Sequence, residues 1–260
     1  MTANDPDQIP ILELRNVSKR FGNLVVLDGL NLSMKSGDST VIIGESGTGK
    51  SVLLKHIVGL LRPDAGEIYF HGRRIDNQSE DELVPVRRRI GFLFQLSALF
   101  DSMTVSENVG FPLTRHSSMT PEEIRLTVAE NLRRVGLEGF EERRPGQLSG
   151  GQKKRVGLAR AIALKPEIVL YDEPTTGLDP IRADVINELI LKMKQELRIS
   201  SIVVTHDMAS AYKVGDRIVM LQHGRIIADG PPDFFRNSSD PMVRRFVDGH
   251  ASPKDLEALD

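Results

Sequence analysis

The spacing of hydrophobic residues changes period several times along the chain, and each change marks an element. Leu30, Leu32 and Met34 alternate with Asn31 and Ser33 as in a strand with one buried face, and residues 35–38 (KSGD) read as the turn that ends it. A β-branched apolar run follows at residues 39–44 (STVIIG), and beyond Ser51 the apolar positions Leu53, Leu54, Ile57, Val58 and Leu61 recur at helical spacing. That order is strand, loop, helix. Residues 120–123 (TPEE) supply a capping threonine, a proline at the first helical position and a glutamate at the third. Ile124, Val128, Leu132 and Val135 then share one face, and Gly136 stops the helix. Residues 167–173 (EIVLYDE) and 200–207 (SSIVVTHD) are apolar runs that end in charged or polar residues and lead into helix-like segments. Strands of that kind are buried on both faces, so the pattern predicts an α/β fold with parallel, doubly covered strands, a β-rich start and a helical middle third.

Composition changes this picture little. The chain has 260 residues, 40% of them hydrophobic and 27% charged, enough to bury a core. A net charge of -2 gives no electrostatic case for a nucleic-acid partner, and the absence of cysteine removes disulfide frameworks and cysteine-based metal sites. The first ten residues, MTANDPDQIP, lack a basic n-region and an apolar h-region, and no stretch approaches the roughly 20 apolar residues that span a bilayer. The expectation is a cytoplasmic chain that does not cross a membrane. Residues 251–260 are acidic and are expected to form a mobile tail.

The chemistry starts between the strand at 39–44 and the helix after it. Gly44, Glu45, Ser46, Gly47, Thr48, Gly49, Lys50 and Ser51 fit G-x-x-x-x-G-K-[ST], in which small residues let successive backbone N–H groups curl around phosphate oxygens at a helix N-terminus. Lys50 then reaches the β- and γ-phosphates, and the Ser51 hydroxyl is a Mg²⁺ ligand. Glu45 occupies an "x" position, so its side chain is expected to point away from the phosphates. Asp172 ends an apolar strand where an open α/β sheet presents ligand-binding residues, which suits Mg²⁺, and Glu173 can then reach a water attacking the γ-phosphate. Taken alone, this pair could equally be an ordinary acidic strand end.

The stretch LSGGQKKRVGLARAI begins at Leu148. Ser149 can cap a helix whose first turn holds Gly150 and Gly151, exposing N–H groups and a hydroxyl to an anion. LSGGQ resembles the signature of ABC-type ATPases. It occurs with the P-loop, Gln95, Asp172 and Glu173, GLD at 177–179, and His206, in that family's order and approximate spacing, over about residues 11–230. The resemblance implies a P-loop ABC-type nucleotide-binding domain with an antiparallel β subdomain and a helical subdomain at about 96–165. That domain would occupy residues 1–235, with a C-terminal extension at 236–260. It implies two ATP molecules held between two copies in a head-to-tail homodimer, each by one copy's P-loop and by Ser149, Gly150, Gly151 and Gln152 of the other. It further implies that Asp179 couples the sites at the interface, that Gln95 touches Mg²⁺, that His206 senses the γ-phosphate and that Phe21 stacks on adenine. A core aromatic at a strand end is the alternative for Phe21.

Four stretches narrow the family. GTGKSVLLKHIVGL, LFQLSALFDSMTVSENVGFPL (93–113), PTTGLDPI (174–181) and DPMVRRFVDG (240–249) resemble the ATPase subunit of Mla-type, MCE-associated phospholipid transporters. The resemblance implies a separate membrane permease, an MCE protein and a small regulatory subunit as partners, no nucleic acid, and a peripheral place on the cytoplasmic face of the inner membrane. In the second stretch Leu96, Leu99, Phe100, Met103, Val105, Val109, Phe111 and Leu113 are expected to divide between a permease-binding groove and the subdomain core. In the fourth, Val243, Phe246 and Val247 lie at helical spacing behind Asp240 and Pro241. They are expected to dock on a neighbouring chain, with folding back on their own domain as the alternative. Two other functions share the ATPase motifs: energising a small-solute importer, and work on nucleic acid or the ribosome. The second usually needs two cassettes, a long coiled-coil insertion or cysteine-bound zinc, and none is present.

Overall fold

A computed structural model describes residues 9–250, so the acidic tail lies outside the described residues. Two sheets divide the work. One is antiparallel, in the order β2-β1-β4-β5, built from β1 (Leu12–Phe21), β2 (Leu24–Met34), β4 (Ala65–Phe70) and β5 (Arg73–Arg74). The other, in the order β10-β9-β3-β8-β7-β6, runs parallel from β9 (Arg217–Gln222) through β3 (Ser39–Ile43), β8 (Ser200–Val204) and β7 (Ile168–Asp172) to β6 (Ile90–Leu93). The antiparallel β10 (Arg225–Gly230) closes one edge.

The central strands are buried on both faces because successive side chains serve two different cores. In β3, Ile42 packs with the antiparallel sheet and with α1 (Lys50–Ile57), while Val41 and Ile43 pack with the helices on the opposite face. The same split separates Leu170 from Val169 and Tyr171 in β7, and Val204 from Val203 in β8. This explains why these strands read as unbroken apolar runs, whereas β2, with Leu30, Leu32 and Met34 buried and Asn31 and Ser33 exposed, alternates.

The helical middle consists of α3 (Val105–His116), α4 (Pro121–Arg134) and α5 (Gly150–Ala161). As the sequence indicates, Thr120 caps α4 by accepting from the Glu123 N–H, the Glu123 carboxylate accepts from the Thr120 N–H, and Val128, Leu132 and Val135 are buried. α1 is shorter than its apolar spacing suggests. Gly59 turns left-handed (φ 67°) after Ile57, so Leu61 falls beyond the helix and Leu60 is exposed.

One expectation is corrected. The C-terminal helix α9 (Pro241–Asp248) folds back on its own domain: Val243 is 2% exposed within the main core, and Phe246 and Val247 pack against the same cluster. Docking on a neighbouring chain is therefore not needed to cover this face. The apolar spacing is real, but sequence alone does not say which surface it meets.

Candidate functional site

The loop after β3 is shaped by glycines that admit no side chain. A Cβ on Gly44 would lie 2.3 Å from the Leu221 carbonyl oxygen, and one on Gly49, left-handed at φ 98°, would meet Val26 at 2.8 Å. The loop is thus pressed between β9 and β2, and it delivers Lys50 to the start of α1. Lys50 is 6% exposed, and its ammonium donates to the carbonyls of Gly44 (2.7 Å) and Glu45 (2.8 Å). Burial lowers its pKa, while Glu173, Asp172 and Glu45 act in the opposite sense. The Glu45 carboxylate is engaged with the guanidinium of Arg245 on α9, at 3.0 Å.

Three parallel strands end together beside this loop. At the end of β7, Asp172 accepts from the Ser51 hydroxyl at 2.7 Å, a pair of hard oxygen donors of the kind a divalent cation takes. Burial raises the Asp172 pKa, and the Ser51 hydrogen bond opposes the rise. Glu173 follows in a left-handed conformation, φ 49°, which turns its side chain out of the strand direction. Its Oε2 accepts from the Thr176 hydroxyl (2.8 Å) and lies 2.9 Å from His206 Nδ1, just beyond β8. Lys50, Ser51, Asp172, Glu173 and His206 therefore form one cluster, as their positions at strand ends suggest. Thr176 belongs to it too and is not singled out by the sequence reading. Its signal is its place three residues after Glu173.

Asp172→Asn gives a prediction with a definite sign. A carboxyl whose folded pKa is raised carries a penalty when ionised, present at neutral pH and lost as pH falls toward about 4, where the unfolded carboxyl protonates too. The amide removes the charge and still accepts from Ser51. The variant is expected to melt higher than the parent at pH 7 to 8, by about 2–4 °C per kcal/mol regained, with the gap closing on acidification, and to lose ATP turnover. A lower midpoint at neutral pH would contradict the burial argument.

The remaining candidates sit on other segments. Ser149 caps α5, and its hydroxyl and the first glycine, Gly150, are exposed, while Gly151 is buried. Gln152 turns its side-chain oxygen back to the Ser149 N–H at 2.8 Å, completing a capping box. Asp179 caps α6 (Pro180–Leu197) by accepting from the Arg182 N–H and stays exposed. Phe21, at the end of β1, is 47% exposed with the Lys19 ammonium 5.6 Å from its ring centre, so it is not a core aromatic. Gln95, beyond β6, is exposed.

The eight apolar residues of 96–113 divide, with Leu99 partly buried against the core and Met103 half-buried. Val105, Val109 and Leu113 are fully buried in the core, whereas Leu96 is 88% exposed and Phe100 is exposed beside Phe111, ring centres 4.9 Å apart. Phe100 and Phe111 line an open cleft of about 580 Å³ with Phe92, Phe94, Ala98 and Leu164. No helix among the described residues is long and apolar enough to cross a membrane.

Known proteins resemble this chain. A family model described as ABC transporter matches residues 27–176. A probable ribonucleotide transport ATP-binding protein, mkl, of Mycobacterium leprae is 41% identical over 238 residues, 92% of this chain and 69% of that protein. The intermembrane phospholipid transport system ATP-binding protein MlaF of Haemophilus influenzae is 41% identical over 241 residues, 93% of this chain and 91% of that protein. An ATP-binding cassette solved as a dimer in a post-hydrolysis state with ADP and Pi has a TM-score of 0.79 at 38% identity, over 85% of this chain and 98% of that one.

Proposed function

The chain belongs to the ABC transporter family and is an ATP-hydrolysing cassette, and from that premise we propose that it powers phospholipid movement through a separate membrane permease in an Mla-type system. The observation that carries the hydrolytic part is the cluster at the ends of β3, β7 and β8, where a phosphate loop, the Ser51–Asp172 oxygen pair and the Glu173–His206 pair converge. The Ser51 hydroxyl and the Asp172 carboxylate would hold Mg²⁺, with Gln95 as a further ligand; the ion's contribution is to neutralise charge developing on the transferred phosphoryl group. Lys50 exchanges its loop carbonyls for phosphate oxygens. Glu173, its rotamer fixed by Thr176 and His206, accepts a proton from the attacking water.

Two copies complete the sites. The exposed Ser149, Gly150 and neighbouring N–H groups of one copy would face the nucleotide on the other's loop, with Asp179 at the interface and Phe21 against the base. The dimeric cassette with ADP and Pi supports this reading. We take residues 1–235 as the ATP-binding domain, about 96–165 as its helical subdomain and 236–260 as the extension. The cleft lined by Phe100 and Phe111 suits a cytoplasmic helix of the permease, which would hold the chain peripherally at the inner face of the membrane.

Similarity to MlaF across nine-tenths of that protein's length favours phospholipid as cargo and an MCE protein as partner. A second reading, a small-solute importer, is favoured by the name of the Mycobacterium leprae relative. Purification of the tagged full chain from its native membrane separates them. A permease with an MCE protein supports the proposal, a solute-binding partner system supports the alternative, and bound nucleic acid in their place would defeat both.

A further inference from the structure

Lys154 lies on α5, five residues beyond Ser149, and no step described so far uses it. It is 5% exposed, with Gly151 and Gly157 three residues to either side and the buried Leu158 one turn on. Its ammonium makes two hydrogen bonds, both to backbone carbonyls: one to Gln95 and one, at 3.0 Å, to Glu173. Burial lowers its pKa, and Glu173 and Asp172 act against that shift. A desolvated ammonium is costly unless its donors are well used, and here they are spent on the peptide groups of two residues assigned above to the proposed hydrolytic site.

Both peptides need holding. Glu173 is left-handed at φ 49°, a conformation that costs a bulky residue free energy, and its carbonyl is what Lys154 grips. After Gln95 come Ser97 (φ 62°) and Ala98 (φ 45°), two more left-handed residues, whose carbonyls accept from Arg160 at 2.6 and 2.7 Å, further along the same helix. α5 thus carries a row of cations that fixes the segment 95–98 and the Glu173 turn, while its first turn is exposed at Ser149.

We propose that Lys154 is a positioning residue for ATP hydrolysis: by bridging the carbonyls of Gln95 and Glu173 it ties the signature helix to the backbone that aims the Glu173 carboxylate. A displacement of α5 when its N-terminus meets a nucleotide is then transmitted to the catalytic carboxylate of the same chain, so that the hydrolytic geometry forms only when α5 is seated. This rests on the role of Glu173 as the base. Lys154 touches no reacting atom; its effect is on aim, and a misplacement of about 1 Å costs on the order of 100-fold in rate.

The test uses the full chain with Mg-ATP and compares Lys154→Met, which keeps the bulk and removes the donors, with Lys154→Arg, which keeps charge and donors, and with Glu173→Gln. The expected result for Lys154→Met is a kcat about 100-fold lower, with ATP affinity and melting temperature close to the parent, and for Lys154→Arg a recovery of most of that loss. Parental kcat in Lys154→Met overturns the proposal. So does a loss of ATP affinity or of thermal stability that Arg fails to restore, since that marks a strut and not an aiming contact. Turnover retained by Glu173→Gln defeats the base reading and the proposal with it, whereas turnover lost there but kept in Lys154→Met defeats the proposal alone.

Discussion

Lys50→Ala and Glu173→Gln are expected to abolish turnover in different ways. The Lys50 ammonium sits on the phosphate loop, within hydrogen-bond distance of two of its carbonyls, and in the proposed role it would offer those donors to phosphate oxygens in the ground state as well as in the transition state. Charge-assisted hydrogen bonds of this kind are worth about 1.5–3 kcal/mol each, so the loss of two weakens ATP binding by roughly 10²- to 10⁴-fold. Glu173, as the proposed base, would act only when the water is deprotonated. Its amide keeps the size and the contacts with Thr176 and His206, so ATP affinity should stay near the parental value while kcat falls by about 10²- to 10⁴-fold. The variant should then accumulate as an ATP-bound, closed dimer, visible by size-exclusion chromatography, whereas Lys50→Ala should stay monomeric with or without ATP. Equal losses of nucleotide affinity in the two variants would refute the assignment of Glu173.

That contrast could be framed from the sequence because the elements that hold these residues have strong local signals. A short apolar run rich in β-branched residues suits a strand covered on both faces, and in a parallel sheet its C-terminal end is where ligands bind, so the sequence alone puts Asp172, Glu173 and His206 at one edge of the sheet. Thr120 and Glu123 announced α4 by their spacing alone. What stayed hidden depends on contacts between distant segments. The eight apolar residues of 96–113 carry the same character whether they face the core, as Val105 and Val109 do, or solvent, as Leu96 does. The helix at 241–248 shows its apolar stripe but not the surface that meets it, and its Arg245 reaches Glu45, 200 residues away in the chain. Lys154 reads as one more basic residue in a run of three, and only the fold reveals that it is buried on two carbonyls while its neighbours Lys153 and Arg155 are partly exposed.

Mixing two inactive variants is expected to restore activity. If each nucleotide lies between the loop of one copy and Ser149 of the other, a Lys50→Ala chain and a Ser149→Arg chain fail for reasons that can be collected into one site. In the mixed dimer one site pairs the altered loop with the altered signature and the other pairs two parental halves. Ser149 is exposed at the start of α5, so arginine there costs a helix cap, about 1 kcal/mol, and would set a bulky cation where the proposed geometry brings the partner's nucleotide, without disturbing the core. Where the permease holds the chains in pairs, random pairing of equal amounts makes half of the pairs mixed, each with one of two sites intact, so sites that fire independently should return about a quarter of the parental rate. The rate should follow the fraction of mixed dimers as the ratio of the two chains is varied. With subunit exchange verified by differently tagged chains, a mixture no more active than its parents means either that the signature of one copy does not serve the loop of the other, or that neither site turns over unless both are whole. Adding parental chains to an excess of Lys50→Ala separates these. Independent firing gives a rate that falls linearly with the fraction of altered chain, whereas obligatory coupling gives a fall with the square of the parental fraction.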